Sequence, residues 1–168
     1  MKHEGEWLLG ALGAAGAYLL AIMPERKHRA ERMKGIFYAH RGLHDLEAGV
    51  PENSMAAFAA AVEKGYGIEL DVQLTKDQIP VVFHDFTLKR VCSVEGRVKD
   101  YTFEELQQFS IEGTNQRIPK FADVLRLVNG AVPLLIELKC PDLGCEICRL
   151  ADRELQGYHG SYTIESFS

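Results

Sequence analysis

Three acids, two histidines and two cations in this chain have the types and spacing to do chemistry. Glu69 and Asp71 alternate with Ile68, Leu70, Val72 and Leu74, and Glu137 recurs in Leu134-Leu135-Ile136-Glu137-Leu138-Lys139. With a period of two, the apolar side chains take one face of a strand and the acids the other. Carboxylates gathered on one inner face repel one another and shift their pKa values unless a cation sits among them. Oxygen donors of this kind select calcium or magnesium. The competing reading is a salt-bridged strand end without an ion. His40 closes Ile36-Phe37-Tyr38-Ala39-His40, and His84 follows Ile79-Pro80-Val81-Val82-Phe83. One histidine at a strand end is weak evidence, but two flank the strand that carries Glu69 and Asp71. Imidazole changes charge near neutral pH, which suits proton transfer. Arg41 follows His40 directly, and a guanidinium fits phosphate or carboxylate. The plainer roles are a structural ion pair for Arg41, a barrel-mouth salt bridge for Lys139, and loop holding or capping for Glu52. His44 and Asp45 read as loop residues.

Composition narrows the class. The chain has 168 residues, a net charge of -5 and 46% hydrophobic residues, enough for one ordinary domain with a real core. Mild acidity and the lack of a basic patch with interleaved aromatics argue against a nucleic-acid partner. Of the four cysteines, Cys140, Cys145 and Cys148 are spaced C-x4-C-x2-C, as in one iron–sulfur class. However, Ile147, Cys148, Ala151 and Leu155 share a face of a helix-like run from Gly144 to Leu155, where cysteine is expected to pack as a small hydrophobe. No disulfide framework is expected, in keeping with a reducing compartment.

The elements that must position these residues follow in order. Trp7 to Met23 is an uncharged run at the short limit for a membrane span. Arg26, Lys27, Arg29, Arg32 and Lys34 come after it, so the positive-inside rule puts the C-terminal part in the cytoplasm. A cleaved signal peptide and an interfacial helix are the alternatives. Residues 1–34 are thus expected to be an anchor and charged linker, and residues 35–168 a domain. Asn53 or Ser54 caps a helix lined by Met55, Phe58, Ala59 and Val62, which Gly65 ends. Residues 86–117 break the strand–helix rhythm. They read as a small insertion after the third strand, with a capping box Thr102-x-x-Glu105. Pro119 suits the first turn of a helix with Phe121, Val124, Leu125 and Val128 on one face, and Asn129-Gly130 ends it. The strand with Glu137, the cysteine-bearing helix and a fifth strand, Tyr162 to Phe167, complete an α/β pattern.

His40-Arg41-Gly42, Pro51-Glu52-Asn53-Ser54, Glu69-Leu70-Asp71-Val72, His84-Asp85 and Glu137-Leu138-Lys139, in that order and spacing, resemble the glycerophosphodiester phosphodiesterases. The resemblance runs from about Tyr38 onward, and the apolar N-terminal run is similar to the anchor of some bacterial members. It implies a TIM (β/α)8 barrel with a small insertion after strand 3. It also implies that Glu69, Asp71 and Glu137 ligate a divalent metal, Ca2+ or Mg2+, and that His40 and His84 are the acid–base pair. Arg41 would hold phosphate, with Glu52 and Lys139 as further polar residues of the site. The implied reaction is metal-dependent hydrolysis of a glycerophosphodiester to glycerol 3-phosphate and an alcohol at the cell membrane. A lysophospholipase-D-like or phosphoinositide-phospholipase-like activity, or a membrane-tethered binding module without turnover, are the alternatives. A closed barrel takes about 250 residues and eight strand–helix units, whereas five strands can be counted here. The 168-residue chain is therefore expected to be a fragment or truncated product with weak or no activity alone.

Overall fold

The computed structural model describes Gly16, Tyr18 and residues 35–140 and 146–167. The chain divides into two compact units, residues 1–35 and 36–168. In the first, Gly16 and Tyr18 are helical. The rest of the apolar run expected as an anchor, the basic linker and Cys145 lie outside the described residues. Among the described residues no helix is long and apolar enough to cross a membrane.

The second unit contains β1 (Tyr38–His40), α1 (Met55–Lys64), β2 (Gly67–Leu74), β3 (Pro80–Val82), α2 (Lys89–Cys92), a 3-10 turn (Val98–Asp100) and α3 (Phe103–Leu106). Next come α4 (Phe121–Val128), β4 (Leu134–Leu138), α5 (Glu146–Leu155) and β5 (Tyr162–Glu165). Four strands are parallel in the spatial order β1-β2-β4-β5, the strand–helix arrangement of a partial α/β barrel. The third strand departs from that direction: β3 pairs antiparallel with the end of β2, Val72 opposite Val82. Only four residues, Thr75 to Gln78, separate Leu74 from Ile79, and a parallel crossover takes a dozen or more. Thr75 shapes this tight turn: its hydroxyl accepts from the Ile79 amide at 2.9 Å and donates to Asp77 at 2.6 Å.

Burial explains why the sheet holds. Ile68, Leu70 and Val72 of β2 are fully buried with Phe58 and Ala61 of α1, Phe121, Val124 and Val128 of α4, and Ile136 of β4 in one apolar cluster. The opposite face of β2 is covered too, since Glu69, Asp71 and Gln73 are also buried. Helices cover the apolar face of β2, and the loop after β1 together with Lys139 covers its acids. Phe58 and Phe121 are the largest side chains in this cluster with no exposed surface. Phe58→Ala is expected to cost about 3–5 kcal/mol in a denaturant titration.

Residues 86–117, read from the sequence as an insertion, carry a second apolar cluster: Leu88, Val91, Cys92, Val98, Leu106 and Ile111 pack with Val81, Phe83 and Ile118. The insertion is thereby fixed to β3 by its own core. The Thr102–Glu105 capping box forms at α3. Ser54, rather than Asn53, caps α1, accepting from the Ala57 amide at 3.1 Å. The α4 helix begins after a Lys120 N-cap, so Pro119 stands just outside the first turn, and Asn129 ends the helix with a positive φ of 42°. In α5, Ile147, Ala151 and Leu155 are buried as the periodicity requires, whereas Cys148 is exposed. The apolar stripe is narrow enough that its neighbour turns to solvent. The fifth strand ends at Glu165, two residues short of the expected Phe167.

Candidate active site

Strand register assembles the acids. In the parallel pair β1–β2, His40 lies level with Glu69; in β2–β4, Asp71 lies level with Glu137. Residues paired in register point to the same face of a sheet, so β2 serves as the central rail. The outcome is a cluster of Glu69, Asp71 and Glu137, each offering a carboxylate oxygen within 4.8 Å of the others. Lys139, just past the end of β4, places its ammonium 2.8 Å from Glu137 Oε1 and 3.2 Å from Asp71 Oδ1. Burial alone would push that ammonium down, but the hydrogen bond with Glu137 and the charge of Asp71 outweigh it and hold it above its ordinary value.

The loop after β1 supplies the other cation. Arg41 adopts a left-handed backbone, φ 57°, and Gly42 follows at φ 82°. A Cβ on Gly42 would lie 2.8 Å from the Ala57 Cβ, so only glycine lets this loop turn against α1. The turn aims the Arg41 amide at Glu69 Oε2, 2.9 Å away. Its guanidinium donates from Nη1 to both oxygens of Glu52 at 3.1 and 3.3 Å. Arg41 Nε is buried without a hydrogen-bond partner and stands 3.7 Å from Asp71 Oδ2. Asn53, also at positive φ (50°), donates its side-chain amide to Asp71 Oδ2 at 2.9 Å. Two consecutive residue types fit an N-cap here; Ser54 takes that role and leaves Asn53 free to support an acid.

The two histidines are held differently. The His40 side chain is 69% exposed, with Nε2 4.0 Å from Glu69 Oε2. His84 is partly buried, and its Nδ1 lies 2.6 Å from Asp85 Oδ1. The backbone around His84 is fixed by Gln73, whose amide reaches the carbonyls of Phe83, His84 and Asp85 at 2.7, 3.1 and 2.8 Å. Of the eight residues singled out by sequence, Glu69, Asp71, Glu137, Lys139 and Arg41 converge, His40 stands beside Glu69, Glu52 braces Arg41, and His84 contacts Asp85. Gln73, Asn53, Asp85 and Arg90, whose guanidinium donates to both Glu52 and Asp85, were not singled out for the site. Gln73 had a signal, being the third polar position on the inner face of β2. Glu165 of β5 lies level with Glu137 yet is not part of the three-acid cluster.

The cluster fits a divalent cation. Asp71 Oδ1 is fully buried and faces the Lys139 ammonium at 3.2 Å. But three clustered carboxylates outnumber the two cationic side chains, Arg41 and Lys139, that approach Asp71, and a divalent ion would offset the excess negative charge. Burial, reinforced by the neighbouring charge of Asp71 and only partly opposed by the Arg41 amide, pushes the Glu69 carboxyl up to about 6. A carboxyl raised above its unfolded value of 4.5 binds its proton more tightly when folded. Its contribution to stability is therefore full below 4.5 and is lost as pH rises toward 6. A bound cation reverses that preference, because it needs the carboxylate. Calcium affinity is accordingly expected to weaken as pH falls through 6. Calorimetric titrations at pH 7.5 and pH 5 check this, and equal affinities at the two values would contradict it.

Comparison with known proteins agrees with this geometry. Residues 40–148 match the glycerophosphoryl diester phosphodiesterase family. A glycerophosphodiester phosphodiesterase of Caldanaerobacter subterraneus is 46% identical over 103 residues, 57% of this chain and 41% of that protein. One from Bacillus altitudinis is 42% identical over 109 residues, 61% of this chain and 43% of that protein. This chain thus covers less than half the length of those relatives. Among solved structures, an Oleispira antarctica phosphodiesterase in complex with its product sn-glycerol-3-phosphate superposes with a TM-score of 0.73 at 27% identity, covering 83% of this chain and 60% of that one. A glycerophosphoryl diester phosphodiesterase from Parabacteroides distasonis gives 0.61 at 34% identity, covering 77% and 46%. With the matched segment containing all three acids, both histidines and both cations of the site, the chain belongs to the glycerophosphoryl diester phosphodiesterase family.

Proposed function

We propose that this site hydrolyses glycerophosphodiesters to glycerol 3-phosphate and an alcohol. Glu69, Asp71 and Glu137 would hold a divalent cation, calcium or magnesium. When bound, such an ion offsets negative charge on the phosphoryl oxygens as it builds in the transition state. The observation that carries the reading is the buried Nε of Arg41, without a hydrogen bond, beside three clustered acids and His40. A planar guanidinium with a donor free of hydrogen bonds in a buried site is suited to an oxyanion such as a phosphodiester.

The chain's own residues then divide the work. Arg41, braced by Glu52, orients the phosphodiester, and Lys139 adds positive charge on the opposite side of Asp71. One histidine takes the proton from the glycerol hydroxyl beside the phosphate as that oxygen attacks phosphorus. The other gives a proton to the departing alcohol oxygen, and a cyclic phosphate results. Water opens the cycle with the two roles exchanged, which restores both histidines to their starting protonation states. Phosphorus NMR of glycerophosphocholine turnover tests the bond assignment. The expected product is glycerol 3-phosphate with free choline; phosphocholine with free glycerol would overturn it.

We also propose that the apolar run from Trp7 to Met23 anchors the protein in the cell membrane with the site on the cytoplasmic side. Its supports are the length of that run and the basic residues after it. Retention in the membrane fraction through alkaline extraction is the expected result, and release into the supernatant would remove the anchor.

A further inference from the structure

An unbroken chain of ion pairs joins the two halves of the site, and Arg90 is its middle link. Arg90 lies on α2 in the insertion, with its side chain 46% exposed. It donates from Nη2 and Nη1 to Glu52 at 2.6 and 3.2 Å, and from Nε and Nη2 to Asp85 at 2.7 and 2.9 Å. Glu52 in turn holds Arg41, and Asp85 holds His84 Nδ1. The sequence therefore runs Arg41, Glu52, Arg90, Asp85, His84. It connects the loop after β1 with His84 and Asp85 in the segment beyond β3, two places that share no strand pairing.

We propose that Arg90 is a positioning residue that fixes the His84 ring with its proton on Nδ1 and its Nε2 free. The proposal rests on the acid–base role proposed for His84. The reasoning is one of proton count. Asp85 and a neutral imidazole nitrogen cannot share a 2.6 Å contact as two acceptors. Arg90 and His84 together hold the Asp85 carboxyl down at about 2, with the Arg90 hydrogen bond the larger cause, so Asp85 is ionised and accepts. His84 must then donate from Nδ1, and the only nitrogen left for substrate is Nε2. The Arg90 guanidinium is suited to this because its planar fork contacts two carboxylates at once, which a single ammonium does not. Glu52 is likewise held below its ordinary value, since Arg90 and Arg41 outweigh the opposing effect of burial. The same arginine therefore keeps the brace of Arg41 charged.

The test is nitrogen NMR of the His84 ring in the 168-residue chain at pH 8, which reads the tautomer without any turnover. In the wild type the expected neutral ring carries its proton on Nδ1 alone. R90Q is expected to populate both tautomers, with R90K between the two. Backbone amide signals from β2 and β4 should be unchanged in both variants. A wild-type ring protonated on Nε2, or an R90Q ring indistinguishable from wild type, overturns the proposal. Because no substrate is used, either outcome stands apart from whether glycerophosphodiester hydrolysis is the reaction.

Discussion

His84→Ala is expected to lower glycerophosphodiester turnover by about 10²- to 10⁴-fold, the range a positioned acid or base contributes. The fold should survive. His84 is only partly buried, and its backbone is held independently by the Gln73 amide, which contacts carbonyls rather than the ring. Asp85 keeps both bonds from Arg90 when the imidazole is gone. His40→Ala is expected to lose a similar factor at still smaller structural cost, because its exposed ring makes just a 4.0 Å approach to Glu69. Initial rates measured beside a thermal melt decide the matter. Activity retained in either variant, with an unchanged melt, removes that histidine from proton transfer.

Asp71→Asn is expected to weaken calcium or magnesium binding by more than about 100-fold. Losing a hydrogen-bond partner of a metal ligand costs about 10- to 100-fold, and this change removes a ligand's charge outright. Asp71 is the residue best placed to show it: it is fully buried, central on β2, level with Glu137, and approached by both Arg41 and Lys139. With one of three acids neutral, two carboxylates would face two cationic side chains, and little attraction for an added ion would remain. Asparagine has the same shape, and its carbonyl still accepts from Asn53. Glu165→Gln makes the contrast: its position is level with Glu137 but outside the cluster, so cation affinity should be unchanged. Calorimetry on the two variants separates a defined site from general acidity. Equal losses in both would remove the three-acid cluster as the binding site.

Much of this site was legible because strand periodicity is a local property. Alternation in Gly67–Leu74 put Glu69 and Asp71 on one face, and the same pattern in Leu134–Leu138 did so for Glu137. Parallel register then needed only to bring two like strands together. The turn before β3 was read from the sequence, but its antiparallel direction came from the structure. What the sequence concealed was tertiary. Arg90 stands in Lys89-Arg90-Val91-Cys92, where a charge looks like the solvent side of a short helix; its partners are 5 and 38 residues away. Asp85 was visible in the pair His84-Asp85, but its grip on the ring depends on rotamers that sequence does not fix. Asn53 and Ser54 are interchangeable as caps, and only the packed structure shows which one turns toward Asp71. At Cys148 the helical pattern was right and the width of its apolar stripe was not.

The most direct measurement is release of glycerol 3-phosphate from glycerophosphocholine by the 168-residue chain, with calcium or magnesium present and again with a chelator. Slow release that stops in the chelator is the expected result, since the chain contains the clustered acids, both histidines and both cations of the site. Release that continues undiminished in the chelator would contradict the metal-dependent centre, and no release with either ion would contradict catalysis by this chain.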